Sequence, residues 1–360
     1  MNILAVCSTI NFRDFTRRAT IEAIKNEIDS LDVLLFTSLK NYFKKETTVK
    51  NIQFSTYYFW IPEKMKKFIF LTYLEHKLRN WYWKKKISKY DWIFFTDPNQ
   101  AWLLPYAKKS KIVYLIRDPN VLQSINHKDN ERKLLECSQL VLTTSKNLTD
   151  LYLEKYHGIS HKNIHYWPNC VDINIWEAQA SVSETLNKPL IGVAGNFSLK
   201  RTDYLLLDNI TTNCHDYDFE IAGILDYNHS KVFWDRMFEK SNVKYLGNIP
   251  YEELPKTVAR WDVGLVTEKM DEYASFMHHN KVYQYLALGI PVVSLKIHED
   301  YKMLHPYVRL TEDYVHYVEA IRIALEQSKT GSFRNTCIEI ARLNSSEVRA
   351  KEFLSIINTI

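Results

Sequence analysis

The stretch Asn280-Lys281-Val282-Tyr283-Gln284-Tyr285-Leu286-Ala287-Leu288-Gly289-Ile290-Pro291-Val292-Val293-Ser294 is the most informative in the chain. Asn280 is a helix-capping residue type, Lys281 opens the helix, Gly289 closes it, and Pro291 leads into an apolar strand. A helix start offers free backbone N–H groups and partial positive charge; Lys281 adds a full charge, so the turn suits a diphosphate. Gln284, three residues on, shares the Lys281 face and reaches toward an adjoining ribose. An ordinary capped helix would use the same residues, so the reading needs support from elsewhere.

That support lies upstream, in Gly192-Val193-Ala194-Gly195-Asn196-Phe197-Ser198-Leu199-Lys200-Arg201-Thr202-Asp203-Tyr204. It follows a strand and opens a helix. Gly195 and Asn196 form the turn, and Lys200 and Arg201 sit in the loop. Glycines let a backbone approach phosphates, while lysine and arginine supply charge and directed donors. A solvated basic turn is the plain alternative.

Around these two segments the chain alternates strand and helix. Ile3 to Cys7, Val33 to Phe36, Trp92 to Phe95, Ile112 to Ile116 and Leu140 to Thr143 read as strands, with a helix from Phe12 to Ile28 presenting Ile21, Ile24 and Ile28. The pattern breaks after Trp167-Pro168-Asn169. It restarts with Pro189 to Gly195 and continues through Phe219 to Gly223, Val243 to Leu246, Val263 to Val266 and Val292 to Leu295. Six of the eight glycines (192, 195, 223, 247, 264, 289) fall in this second series, implying tight turns beside a ligand. The expected organisation is α/β: a Rossmann-like domain over 1–175, a linker over 176–188, a second Rossmann-like domain over 189–345, and a C-terminal helix over 346–360 that packs back on the first. At 360 residues, 46% hydrophobic and 25% charged, the chain suits two folded cores and excludes a fibrous or disordered class.

Five dispersed cysteines without a CxxC pair, and a start that lacks signal-peptide flanks, point to reduced thiols and a cytoplasmic location. No apolar run approaches the roughly 20 residues that span a bilayer. The net charge of +5 is uneven: residues 1–180 hold 27 Lys+Arg against 18 Asp+Glu, whereas the rest hold 20 against 24. Only the first half is suited to an anionic surface or acceptor.

Together the two turns, with Tyr90-Asp91-Trp92-Ile93-Phe94-Phe95, Pro168-Asn169-Cys170-Val171-Asp172 and Val243-Lys244-Tyr245-Leu246-Gly247-Asn248-Ile249-Pro250, resemble the GT-B superfamily of glycosyltransferases, particularly bacterial family-four-type cell-surface polysaccharide transferases. The resemblance covers nearly the whole chain. It implies two Rossmann-like domains whose parallel sheets face across a cleft, with the donor nucleotide on the second and the acceptor on the first. It also implies that Arg201, with Lys200 beside it, and Lys281 hold the diphosphate. Two departures stand out. Retaining members carry two glutamates with seven residues between them, and here Phe276 and Gln284 occupy those places. Gln284 still hydrogen-bonds a ribose but lacks the carboxylate charge. Retention and inversion both remain open.

An inverting enzyme needs a general base for the acceptor hydroxyl. Asp118 and Asp97, which follow first-domain strands, are the candidates, with His127 behind them; each Asp-Pro is also a common turn formula. His278 and His279 precede Lys281 and stand where phosphate or sugar would lie. Asp216-Tyr217-Asp218 superficially matches a metal-binding Asp-x-Asp but sits away from the nucleotide turns. No metal and no cofactor are expected, since cations and a helix start stabilise a leaving diphosphate.

Between Tyr57 and Trp92 lie 12 aromatics and nine Lys+Arg against three acids. Trp60, Trp81, Trp83, Lys84, Lys85 and Lys86 are the candidate membrane and acceptor face, because aromatics favour the bilayer interface and lysines attract anionic head groups. The same composition describes single-strand nucleic-acid binders, a reading the two-domain pattern disfavours. The sequence as a whole points to a peripheral glycosyltransferase at the cytoplasmic face of the membrane, moving a sugar from a nucleotide-sugar to a glycan or lipid-linked acceptor. A catalytically inactive GT-B-like subunit and a nucleotide-sugar epimerase are the rivals.

Overall fold

The computed structural model describes residues 1–7, 17–28, 30–38, 52–59, 69–78, 80–159, 163–179, 188–297 and 299–360. The chain divides into two compact units, Met1–Pro168 with Glu347–Ile360, and Asn169–Ser346.

The first unit holds β1 (Asn2–Cys7), β2 (Ser30–Ser38), β3 (Gln53–Phe59), β4 (Trp92–Phe95), β5 (Lys111–Ile116), β6 (Leu140–Thr143) and β7 (Ile164–Tyr166). They form one sheet in the order β3-β2-β1-β4-β5-β6-β7, every neighbour parallel. A central parallel strand is covered on both faces, and β1 accordingly buries every residue from Ile3 to Cys7. The helix after it runs from Arg18 to Glu27 and buries Ile21 and Ile24. The expected start at Phe12 lies outside the described residues.

In the second unit β8 (Leu190–Phe197), β9 (Asp218–Leu225), β10 (Val243–Gly247), β11 (Val263–Val266), β12 (Val292–Leu295) and β13 (Val308–Thr311) give a parallel sheet in the order β10-β9-β8-β11-β12-β13. Both orders reverse direction once, between β1 and β4 and between β8 and β11. Ligands of open parallel sheets bind in the crevice outside the carboxyl ends at such a switch point. In the second unit that is where β8 ends at Gly195, Asn196 and Phe197.

Two expectations about the chain's punctuation need correction. The division falls after Pro168 rather than at 175: Trp176 is fully buried in a second-unit cluster with Val171, Leu190 and Trp261. Of the expected linker, Glu177–Gln179 is a 3-10 turn and 180–187 lie outside the described residues. Second, Gly192 and Gly264 are not turn residues. They lie inside β8 and β11, where a Cβ would sit 1.8 Å from the Trp261 ring and 2.3 Å from the Tyr285 ring respectively. Glycine here makes room for a buried aromatic. Overpacking a core costs about 1–3 kcal/mol, and Trp261 is fully buried, so Gly192→Ala is expected to destabilise by about 3 kcal/mol. A thermal melt of Gly192→Ala beside Gly192→Ala/Trp261→Leu checks this: the second substitution should recover part of the loss, and strict additivity would contradict the packing argument.

The last helix, Ser346–Ile357, returns to the first unit. Ala350, Phe353 and Ile357 are buried in one cluster with Ile3, Ala5, Phe94 and Leu142. Phe353 meets the Phe94 ring edge-on at 5.6 Å and the Trp167 ring at 5.9 Å. Trp167 Nε1 donates to the Arg349 carbonyl at 3.0 Å. From the other side the buried Arg17 lies over Trp167 at 4.5 Å and donates to the Pro168 and Trp167 carbonyls. A charged fork thereby satisfies backbone acceptors at the last residues before the first unit's chain leaves it.

Candidate functional site

The second unit brings Gly195 and Lys281 together. Gly195 has φ +154°, and a Cβ there would lie 3.1 Å from Lys281 Nζ, so the bare backbone lets the cation close over the end of β8. Lys281 also meets Glu268 Oε1 at 3.5 Å, with both side chains mostly buried. The helix carrying Lys281 runs Asn280–Ala287 and is anchored by Tyr285, whose hydroxyl accepts the Ala194 N–H at 2.9 Å. Burial pushes the Tyr285 phenol up, so it stays neutral.

The capping expectation changes by one residue. His279 occupies the cap position without a side-chain cap bond, and Asn280 is the first helical residue. The His279 N–H donates to Tyr301 Oη at 2.7 Å, and the His278 ring packs between Tyr283 and Tyr301. Both histidines are buried. Asn280 Oδ1 is buried and has no hydrogen-bond partner among the described residues, leaving an acceptor beside Lys281. Gln284 is half-buried on the same helix.

The loop from Ser198 to Asp203 is clamped at both ends. Arg201 and Thr202 N–H groups donate to the Ser198 carbonyl, the Asp203 N–H donates to Thr267, and Lys269 N–H donates to Arg201. Asp203 then caps the helix Tyr204–Asn213 through the Leu206 N–H. Arg201 Nη2 donates to Tyr273 Oη at 2.8 Å, and Arg201 and Lys200 lie 5.4 and 5.1 Å from the Tyr273 ring centre. Such cation–ring contacts brace a flexible side chain. Glu268 and Tyr273 are the site residues that sequence reasoning misses; their contacts form only when β11 lies beside β8, and no local spacing announces them.

Beside this cradle a cavity of about 570 Å³ is lined by Ile224, Leu225, Tyr227, Phe238, Tyr245 and Asn248. It adjoins the cradle through Gly223, whose carbonyl accepts from Tyr245 Oη at 2.9 Å and whose Cβ position lies 1.8 Å from the Gly195 oxygen. The Tyr245 ring stacks on Phe238 at 5.2 Å. Cations, bare backbone and an apolar aromatic hollow therefore follow one another along the carboxyl ends of β8, β9 and β10.

No protein-family model matches the chain. A Bacillus subtilis (strain 168) protein named "Putative teichuronic acid biosynthesis glycosyltransferase TuaH" is 21% identical over 227 residues, 61% of this chain and 55% of that protein. The match thus spans about half the length of this curated relative. The crystal structure of Anabaena HepE (Alr3699) in complex with UDP and glucose is similar with a TM-score of 0.75 at 15% identity, covering 100% of both chains. Sucrose-phosphate synthase from Thermosynechococcus elongatus is similar with a TM-score of 0.74 at 12% identity over 100% and 99%. The chain has the GT-B fold.

Within this GT-B chain the first-unit candidates separate. Asp97 caps the 3-10 segment Pro98–Tyr106 by accepting the Asn99 N–H at 2.8 Å. Asp118 is half-exposed beyond β5 and makes no hydrogen bond among the described residues. His127 starts the helix His127–Cys137 and lies near both Asn99 and Asn120. Asp216 and Asp218 are exposed at the amino end of β9, the opposite end from the cradle.

The membrane candidates also separate. Trp60 lies outside the described residues. Trp83 is not on a surface: it is fully buried, with Tyr57 at 4.5 Å and Trp102 at 4.9 Å, because this face of Asn80–Ile87 packs on the sheet. Nor is Lys86 fully exposed; it donates to Ser55 Oγ, and burial pulls its ammonium below the ordinary lysine value. Trp81 is 74% exposed, with Lys85 Nζ 5.4 Å from its ring, and Lys84 and Lys85 are exposed. A stripe in the same aromatic-rich segment, whose residues the sequence reading did not single out, precedes them. Phe70, Tyr73, Leu74 and Leu78 are exposed at helical spacing along Ile69–Leu78, with Lys77 beside Tyr73. No helix among the described residues is long and apolar enough to cross a membrane.

Proposed function

We propose that the chain is a glycosyltransferase that takes a sugar from a nucleoside diphosphate donor held by its second unit. The observation that carries this reading is the closure of Lys281 over Gly195 at the switch point of the second sheet. A diphosphate seated there would meet Lys281, Arg201 and the first N–H groups of Asn280–Ala287; the hollow around Tyr245 would take the base, and Gln284 and Asn280 the ribose. HepE, of the same fold, holds UDP and glucose, which supports UDP as the nucleotide. The acceptor is a glycan or lipid-linked glycan of cell-surface polysaccharide synthesis, a reading supported by the TuaH name. Lys281 and Arg201 supply charge to the departing diphosphate, so transfer is expected to proceed in EDTA.

The test is thermal stabilisation by UDP, GDP, CDP and ADP. UDP at 100 times its Kd should stabilise by about 2.7 kcal/mol, with little effect from the others. No shift with any of them would remove the donor site.

The exposed stripe supports docking on an anionic bilayer, with Phe70, Leu78 and Trp81 entering the interface and Lys77, Lys84 and Lys85 on head groups. Vesicles containing phosphatidylglycerol should bind the protein and phosphatidylcholine vesicles should not. Trp81→Ala is expected to weaken that binding roughly tenfold; unchanged partitioning would mean the stripe faces something other than lipid.

A further inference from the structure

Glu268 places an acid inside a cradle built for an anion. It follows β11 by two residues, and its side chain is mostly buried, as is that of Lys281. The backbone fixes it there. Thr202 and Glu268 form an antiparallel bridge, flanked by the Asp203 N–H donating to the Thr267 carbonyl and the Lys269 N–H donating to the Arg201 carbonyl. Glu268 is thus tied to the Arg201 loop by its backbone and to the helix of Lys281 by its side chain.

The carboxylate meets Lys281 Nζ at 3.5 Å and makes no other hydrogen bond or ion pair among the described residues. A tight charge-assisted N–H···O bond is shorter, about 2.7–2.9 Å. The acid therefore faces Lys281 without locking it, and the ammonium stays over Gly195, 3.1 Å from where a Cβ would stand. A mostly buried acid so loosely paired is unfavourable beside an anionic ligand. A neutral acceptor such as glutamine would face the lysine without that cost, so bracing Lys281 does not account for the charge.

The charge acquires a use when the ligand changes its own. In a UDP-sugar each phosphate keeps one ionised oxygen, so the diphosphate carries two negative charges. When the bond from the anomeric carbon to the terminal phosphate oxygen breaks, the electron pair stays on that oxygen. Free UDP then carries a third charge above about pH 6, where a phosphate monoester loses its second proton. We propose that Glu268 lowers the affinity of the cradle for released UDP more than for the UDP-sugar, and so eases product release. The proposal rests on the glycosyl-transfer reading above. Lys281, Arg201 and Lys200 attract donor and product alike; the one acid opposes the product more, because repulsion grows with the charge it faces.

The test is titration calorimetry on the full chain at pH 8 with UDP and with its β-methyl ester, which has the donor's diphosphate charge and no sugar. In the wild type the third charge should bring little gain, and UDP should bind within about fivefold of the ester. In Glu268→Gln, UDP should bind about tenfold more tightly than in the wild type and the ester about twofold, shifting their ratio roughly fivefold. Glu268→Asp keeps the charge and should keep the wild-type ratio. Equal shifts for both ligands in Glu268→Gln, or weaker binding of both, would show that the acid only braces Lys281 and would overturn the proposal; so would a Glu268→Asp ratio that moves with that of glutamine. A wild-type preference for UDP beyond about fivefold overturns it whatever the variants do. A wild type that binds neither ligand removes the donor site, and with it the transfer reading as well.

Discussion

Replacing Lys281 with alanine is expected to weaken UDP binding by about 10- to 150-fold. A hydrogen bond to a charged group contributes about 1.5–3 kcal/mol, and here the lost donor is a full cation facing a diphosphate. Glu268 adds to the effect. In the wild type its carboxylate is offset by Lys281 at 3.5 Å; without the lysine, this mostly buried acid is left without its cation beside an anionic ligand. Arg201→Ala should cost less, because Lys200 shares its position over Tyr273. Titration calorimetry with UDP on the wild type and both variants checks the order. A Lys281→Ala Kd within twofold of wild type would show that the diphosphate does not sit at this helix.

A second large effect concerns stability. Phe353→Ala is expected to destabilise the protein by about 3–5 kcal/mol, the usual cost of emptying an aromatic site in a packed interior. Phe353 is fully buried between Phe94 and Trp167, so the surrounding sheet has little freedom to close the gap. Phe353→Leu should recover part of the loss. Chemical denaturation read by tryptophan fluorescence would check it, and a loss below about 1 kcal/mol would mean that the last helix is only loosely attached.

What was legible in the sequence was local. β4 and β11 begin and end where apolar runs begin and end, because a short parallel strand buried on both faces is read by such a run. What was not legible depended on neighbours distant in sequence. Tyr57-Tyr58-Phe59 opens the stretch read as a membrane and acceptor face; it is the end of the edge strand Gln53–Phe59, because Phe36 and its neighbours in β2 offer it a partner. Trp83 and Trp81 are two residues apart in one helix, yet only the first faces the sheet. The site divides the same way. Lys281 follows from a helix start, whereas Glu268 and Tyr273 arrive from the far side of the β8–β11 junction. Asn280, which looks like a cap, is instead a helical residue with an unused acceptor.

The discontinuous first unit bears on biosynthesis. The whole second unit is inserted between Pro168 and Glu347, and the interior of the first is completed by a helix that follows the second unit in the chain. A nascent chain emerging at about 5–20 residues per second would finish the second unit while the first still exposed the apolar seat of Phe353. The part made first would be sealed last. In the cell that open seat would be a docking place for chaperones until the helix carrying Phe353 emerged.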